Sequence, residues 1–75
     1  QEQVMIEDQK EHLRAALFQL TPEQRQVIVL KYIEDWSNAE IAAALNKSIG
    51  AVKALQHRGL AALRRMLFLG EESLT

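Results

Sequence analysis

Seventy-five residues with no cysteine, 48% of them apolar and 25% charged, suffice for one small domain. The missing thiols exclude disulfides, thiolate zinc sites and thiol catalysis. No apolar run approaches the ~20 residues of a membrane span, and no basic start followed by an apolar stretch marks a leader peptide, so a cytoplasmic setting is expected. The net charge of −1 hides a division: residues 1–40 carry eight acids against four bases, whereas residues 41–70 carry five bases and no acid. Such a chain folds into a domain with a negative end and a positive end. The apolar content is largely Ala and Leu, with β-branched residues clustered only at Val27-Ile28-Val29, which favours an all-α domain.

Residues 1–8 (QEQVMIED) are polar around a small apolar cluster and read as a frayed start or the end of a linker. A first helix is predicted over 9–19, with Leu13, Ala16, Leu17 and Leu20 recurring at three- and four-residue steps. His12 lies beside that stripe as a surface histidine; the other histidine, His57, belongs to a different element, so the two make no metal site. Thr21-Pro22-Glu23-Gln24 begins a second helix: Thr21 caps, Pro22 sits at N1 where its missing N–H does no harm, and Gln24 completes a capping box. That helix should reach about Glu34, with Val27, Leu30, Tyr32 and Ile33 turned inward and Glu23, Arg25 and Lys31 in water. The apolar run Val27–Leu30 has the length of a strand, but the flanking caps favour helix. Asp35-Trp36 breaks it, and Trp36 reads as a staple and core residue.

The stretch from Ser37 to Arg65, SNAEIAAALNKSIGAVKALQHRGLAALRR, organises the rest. Ser37 and Glu40 have capping-box spacing, and a short third helix is predicted over 38–45 with Ile41 and Leu45 toward the core and Ala42 where two helices approach closely. Asn46 stands where that helix must stop in a left-handed conformation, and Ser48 caps the next. The fourth helix should run from Ile49 to about Leu69 with Val52, Leu55, Gly59, Ala62, Leu63 and Met66 as its buried stripe. Gly70 is suited to end it, leaving residues 70–75 as a tail. A turn of about three residues holds two helices at a steep angle, the geometry of a helix-turn-helix. The expected architecture is a small four-helix, all-α domain over 9–69 containing a helix-turn-helix at 37–65, without a wing.

No catalytic constellation emerges: there is no glycine-rich phosphate loop, the carboxylates are scattered over outer faces, and the serines are explained as caps or tail. No enzyme activity, cofactor, metal, membrane contact or small-molecule ligand is expected. The face of the fourth helix away from its stripe carries Gly50, Ala51, Lys53, Ala54, His57 and Arg58. The helix start from Ser48 to Ala51 presents amides to a phosphate oxygen. Gly50 and Ala51 are small enough to let that end sink into a major groove about 12 Å wide. Lys53, His57 and Arg58 then project from one face over about a turn and a half, within reach of base edges or phosphates. A solvated basic face is the alternative reading; the capped turn, the two small residues and the absence of acids from Ile41 to Gly70 together favour DNA.

With these residues laid out, the segment from Leu20 to Leu67 resembles region 4 of bacterial sigma factors, particularly the extracytoplasmic-function group. LTPEQRQVIVLKY resembles the family's L-x-P-x-x-R-x-V-x-x-L-R-Y, and WSNAEIAAALNKSIGAVKALQHRGLAAL resembles its S-x-x-E-I-A, then S-x-G-T-V-K, then H-R-A. Ala42, Asn46 and Val52 also fit the general helix-turn-helix spacing. The resemblance implies a domain that sets its last helix in the major groove of the promoter −35 element, grips the flap of the RNA polymerase β subunit with another surface, and is in some members covered by an anti-sigma factor. On the matching positions it implies Lys53 and His57 for bases and Ser48, Arg58 and Lys47 for phosphates. The chain departs from the pattern at Asn46, where glycine is frequent, at Lys47, where an apolar residue is usual, and at Leu55, Leu60 and Ala61, where many members are basic. With only three or four phosphates neutralised, a log K against log salt slope of roughly −3 follows. Two other readings use the same fold. One is the DNA-binding output domain of a response regulator, acting as a dimer. The other is an interaction module that docks a protein on Leu60, Leu67, Phe68 and Leu69.

Overall fold

The computed structural model describes the backbone of residues 2–74 and the side chains of residues 10–67. Four α-helices follow one another: α1 (Glu2–Phe18), α2 (Pro22–Ile28), α3 (Asn38–Leu45) and α4 (Ile49–Leu74), with a π-helical turn at Val29–Ile33 extending α2. No strand occurs among the described residues.

The helix starts follow local chemistry. Thr21 accepts from the Gln24 amide at 3.2 Å while Gln24 returns a carboxamide oxygen to the Thr21 amide at 3.3 Å. Ser37 and Glu40 repeat the box at 3.1 and 2.8 Å. Each pair satisfies two amides that the first helical turn leaves unpaired. At the far end of α3, Asn46 adopts φ 57°, ψ 47°. The Lys47 amide donates to Ala42 O at 2.9 Å and the Asn46 amide to Ala43 O, a Schellman closure.

Two apolar clusters share α2. Ile28 joins Ala16, Leu20 and Leu63 between α1, α2 and the middle of α4, with Leu17, Ala62, Met66 and Leu67 packed around them. Its neighbour Val27 joins Ile41, Ala42 and Val52 inside the helix-turn-helix, flanked by Leu30, Leu45 and Leu55. Successive residues of α2 therefore tie the recognition half of the domain to its supporting half. Gly59 makes this possible: a Cβ there would lie 3.0 Å from Ile28 Cγ1 and 3.2 Å from its Cδ1. Gly59→Leu should accordingly lower stability by about 2 kcal/mol or more through overpacking. Gly59→Ala, which gains about 1 kcal/mol of helix propensity against that contact, should stay within about 1 kcal/mol of the parent in urea unfolding.

Several expectations need correction. The backbone is helical from Glu2, so the first helix starts well before residue 9; no proline or glycine precedes Leu20 to stop it. The side chains of Val4, Met5 and Ile6 lie outside the described residues. Leu13, placed in the buried stripe, is 42% exposed, and burial centres on Ala16 and Leu20. The second helix reaches Glu34 only through the π turn, where the Glu34 amide donates to Val29 O and the Trp36 amide to Leu30 O. The wider turn delays the helical phase, so Tyr32 and Ile33 emerge 55% and 59% exposed instead of facing inward. Asp35 then takes φ 63° and reverses the chain. Trp36 is 36% exposed and does not belong to the core. Arg25 does not stand free in water: its guanidinium lies 5.0 Å from the Phe18 ring centroid, with Nε buried. At the C-terminus α4 continues through Gly70 to Leu74, so its backbone does not stop at residue 69. Phe68, Leu69 and the side chains beyond them lie outside the described residues.

Candidate nucleic-acid interface

The third and fourth helices meet at a turn of Asn46, Lys47 and Ser48. Ser48 Oγ accepts from the Ala51 amide at 3.0 Å, and the Val52 amide donates to Ser48 O at 3.0 Å, so the helix start is closed by its own cap. The Ala51 amide is thus already used, which leaves those of Ile49 and Gly50 as the amides with no intrahelical acceptor by position.

From that start, Gly50, Ala51, Lys53, His57 and Arg58 are all exposed and Ala54 is half-buried, while Val52 on the other side of the helix is sealed from solvent. Lys53 and His57 are one helical turn apart, with Arg58 adjoining. The six expected positions on α4 therefore form one surface, carrying cations and small side chains with no acid. Gly50 has a particular place in it. A Cβ at Gly50 would meet only Ser48 Oγ, at 4.0 Å, so nothing inside the domain requires a glycine there. The room is left on the outside.

Lys47 is placed differently from the free phosphate contact expected of it. Its ammonium lies 2.6 Å from Glu23 Oε2, at the start of α2, and is 28% exposed. That bond, reinforced by the charge of Lys47, holds the Glu23 carboxyl below the ordinary carboxylate range. Whatever the pair contributes is therefore complete above the usual carboxylate pKa and fades only as pH falls through the lowered value, so it persists at neutral pH. Glu40 is lowered likewise, by the hydrogen bonds it exchanges with Ser37, and its cap follows the same pH rule.

Two features of this region escaped sequence reasoning. The Glu23–Lys47 bond joins residues 24 apart, and no local pattern announces it. Gln56, on α4 between Leu55 and His57, is only 8% exposed, and its Nε2 donates to Asn38 Oδ1 at 2.6 Å. Its spacing of four from Val52 was the available signal, since that step returns to the buried stripe. Of the apolar residues considered for a protein partner, Leu67 packs against the first core cluster and Leu60 is 38% exposed. No group of metal-binding side chains occurs among the described residues.

A helix pair joined by a short turn, with closed caps, a shared core and an acid-free outer face on its second helix, defines a helix-turn-helix domain of the DNA-binding class. The family described as Sigma-70, region 4 matches residues 10–63, most of the chain, and the chain belongs to that family, in the form found in extracytoplasmic-function sigma factors. It is 48% identical over 60 residues to the ECF RNA polymerase sigma factor SigX of Bacillus subtilis, covering 80% of this chain and 31% of that protein. It is 49% identical over 55 residues to the RNA polymerase sigma-E factor of Streptomyces antibioticus, covering 73% of this chain and 31% of the relative. Against the RNA polymerase sigma factor CarQ of Myxococcus xanthus the identity is 43% over 58 residues, 77% of this chain and 33% of the relative. The chain thus spans about a third of the length of these relatives. Family membership displaces the response-regulator reading. No helix among the described residues is long and apolar enough to cross a membrane.

Proposed function

We propose that this chain is the promoter-reading domain of an RNA polymerase sigma factor. It sets the N-terminal half of α4 into the major groove of the −35 element and thereby anchors polymerase at a start site without catalysing a reaction. The supporting observation is the outer face of α4: Gly50, with open space where its side chain would be, followed over just more than two turns by Lys53, His57 and Arg58. In this reading Lys53 and His57 reach base edges, Arg58 and the Ser48 hydroxyl contact phosphates, and Gly50, Ala51 and Ala54 let the backbone approach. A separate surface suits the polymerase β-subunit flap. Leu13 and Ile33 are left exposed, and together with Leu17, Lys10 and Arg14 they line a depression of about 400 Å³. An anti-sigma factor that covers either surface would silence the domain.

The test is a low-salt NMR titration of the isotope-labelled chain with a short DNA duplex, repeated with Gly50→Leu. Salt-sensitive shifts centred on Ser48 to Arg58 are expected for the parent. The variant should keep its fold, since only Ser48 Oγ stands near that position, and lose the shifts because the added side chain blocks the groove. Binding unaffected by Gly50→Leu would place the DNA contact elsewhere.

Lys47 sharpens the prediction for affinity. Glu23 competes with phosphate for its ammonium, so Glu23→Gln should free a cation at the turn. Affinity for any duplex should then rise by about threefold to tenfold at low salt, and the salt slope should steepen by about one. Fluorescence anisotropy across a salt series measures both.

A further inference from the structure

The helix-turn-helix is closed by hydrophobic packing near its vertex. Ile41 and Val52 are fully buried there, and Ala42 and Leu45 adjoin them. Packing near the vertex resists a change in the angle between the helices less well as the arms lengthen. Asn38 and Gln56 lie out along those arms. They stand nine residues before and nine residues after Lys47. Each is therefore about 12 Å along its own helix from the turn. The 2.6 Å bond from Gln56 Nε2 to Asn38 Oδ1 closes the third side of this triangle. Gln56 is 8% exposed and Asn38 is half-buried, so the bond is partly shielded from water. Its α4 neighbours are Lys53, three residues before, and His57, immediately after.

We infer that the Asn38–Gln56 bond is a strut that sets the angle between α3 and α4, and that Gln56 is a positioning residue for base recognition by Lys53 and His57. The inference rests on the DNA-binding reading above. A purely stabilising role fits the arrangement less well. The buried stripe already anchors α4 through Val52, Gly59 and Leu63, and an apolar side chain at position 56 would bury at least as favourably. What an apolar side chain cannot do is hold a directional bond at a defined distance. A loosened angle moves base-contacting groups by ångströms while leaving salt-dependent phosphate attraction nearly intact.

The experiment compares the chain with Gln56→Leu, Asn38→Ala, Asn38→Asp and the Gln56→Leu/Asn38→Ala double variant. Residual dipolar couplings of backbone amides report the α3–α4 orientation without DNA. Anisotropy then measures affinity for a duplex selected from a random pool by the parent chain and for a scrambled duplex. Gln56→Leu and Asn38→Ala should each melt close to the parent, yet their α3 and α4 couplings should no longer fit one shared alignment. The ratio of selected to scrambled affinity should fall by about fivefold or more, the loss of roughly one base contact, with the salt slope unchanged. The double variant should be no worse than either single change, because both break the same bond. Asn38→Asp keeps the acceptor and should preserve both the orientation and the ratio, although its charge weakens binding to both duplexes alike. Parental orientation in Gln56→Leu would overturn the strut, and so would a lost melting temperature with an intact ratio. If the parent selects no sequence at all, the DNA reading fails, and the dipolar couplings still decide whether the strut exists.

Discussion

Ile41→Ala is expected to remove about 3–4 kcal/mol from the folding free energy, the largest effect of any single truncation in this domain. Ile41 has no solvent exposure and packs in the cluster formed with Val27, Ala42 and Val52. Its neighbours come from α2, α3 and α4, so the cavity left by truncation cannot be closed by shifting one helix alone. A domain of this size has a total stability on the order of 5–10 kcal/mol. The loss should therefore lower the melting temperature by roughly 15–25 °C. Circular dichroism melts of the parent and variant measure it. The exposed Ala39→Ser on the same helix serves as a control and should move stability by less than about 0.5 kcal/mol. A change of under about 1 kcal/mol at Ile41 would mean that this cluster does not depend on its side chain. Because the same cluster orients the turn, Ile41→Ala should also weaken DNA binding at temperatures where it remains folded.

Reversing both principal cations of the outer face should have the largest effect on binding. Lys53→Glu with Arg58→Glu removes two of the roughly three or four phosphate or base contacts the face can make and sets two carboxylates against the DNA backbone. Affinity for duplex DNA at low salt is expected to fall by about two orders of magnitude or more, and the salt slope to shrink by about two. Both side chains are exposed, and neither makes an ion pair among the described residues, so the melting temperature should hardly change. That separation distinguishes the reading from a solvated basic face. A solvated face would tolerate both changes without loss of DNA affinity. Promoter binding by a longer protein containing this chain would show the same dependence, softened by whatever other contacts that protein makes.

Together with Glu23→Gln, these variants divide the interface into cations that are free and one that is already engaged. The fold holds Lys47 on Glu23 and leaves Lys53 and Arg58 unpaired among the described residues. The formal count of bases in residues 41–70 thus overstates what is available to a phosphate. The low slope expected from the departures at Leu55, Leu60 and Ala61 is lowered further by this pairing.

The sequence by itself determined the punctuation of this domain. Thr21 with Gln24, Ser37 with Glu40, the left-handed Asn46 and the Ser48 cap were all legible, because each device acts between a side chain and a backbone group within about three residues. The buried stripe of α4 was legible for the same kind of reason: Val52, Gly59 and Leu63 follow from helical period alone. The outer face came with it, as the remainder of the same helix. Tertiary structure decided the rest. The π turn at Val29–Ile33 exposed Tyr32 and Ile33 against a pattern that assigned them to the core, since a one-residue change in turn width alters phase without leaving a mark in the apolar spacing. Arg25 found the Phe18 ring, Lys47 found Glu23 and Gln56 found Asn38 because helices far apart in sequence cross at particular places. Local hydrogen bonds are set by a few dihedral angles, whereas the partner of a long polar side chain depends on the relative placement of whole helices, which only the packed core establishes.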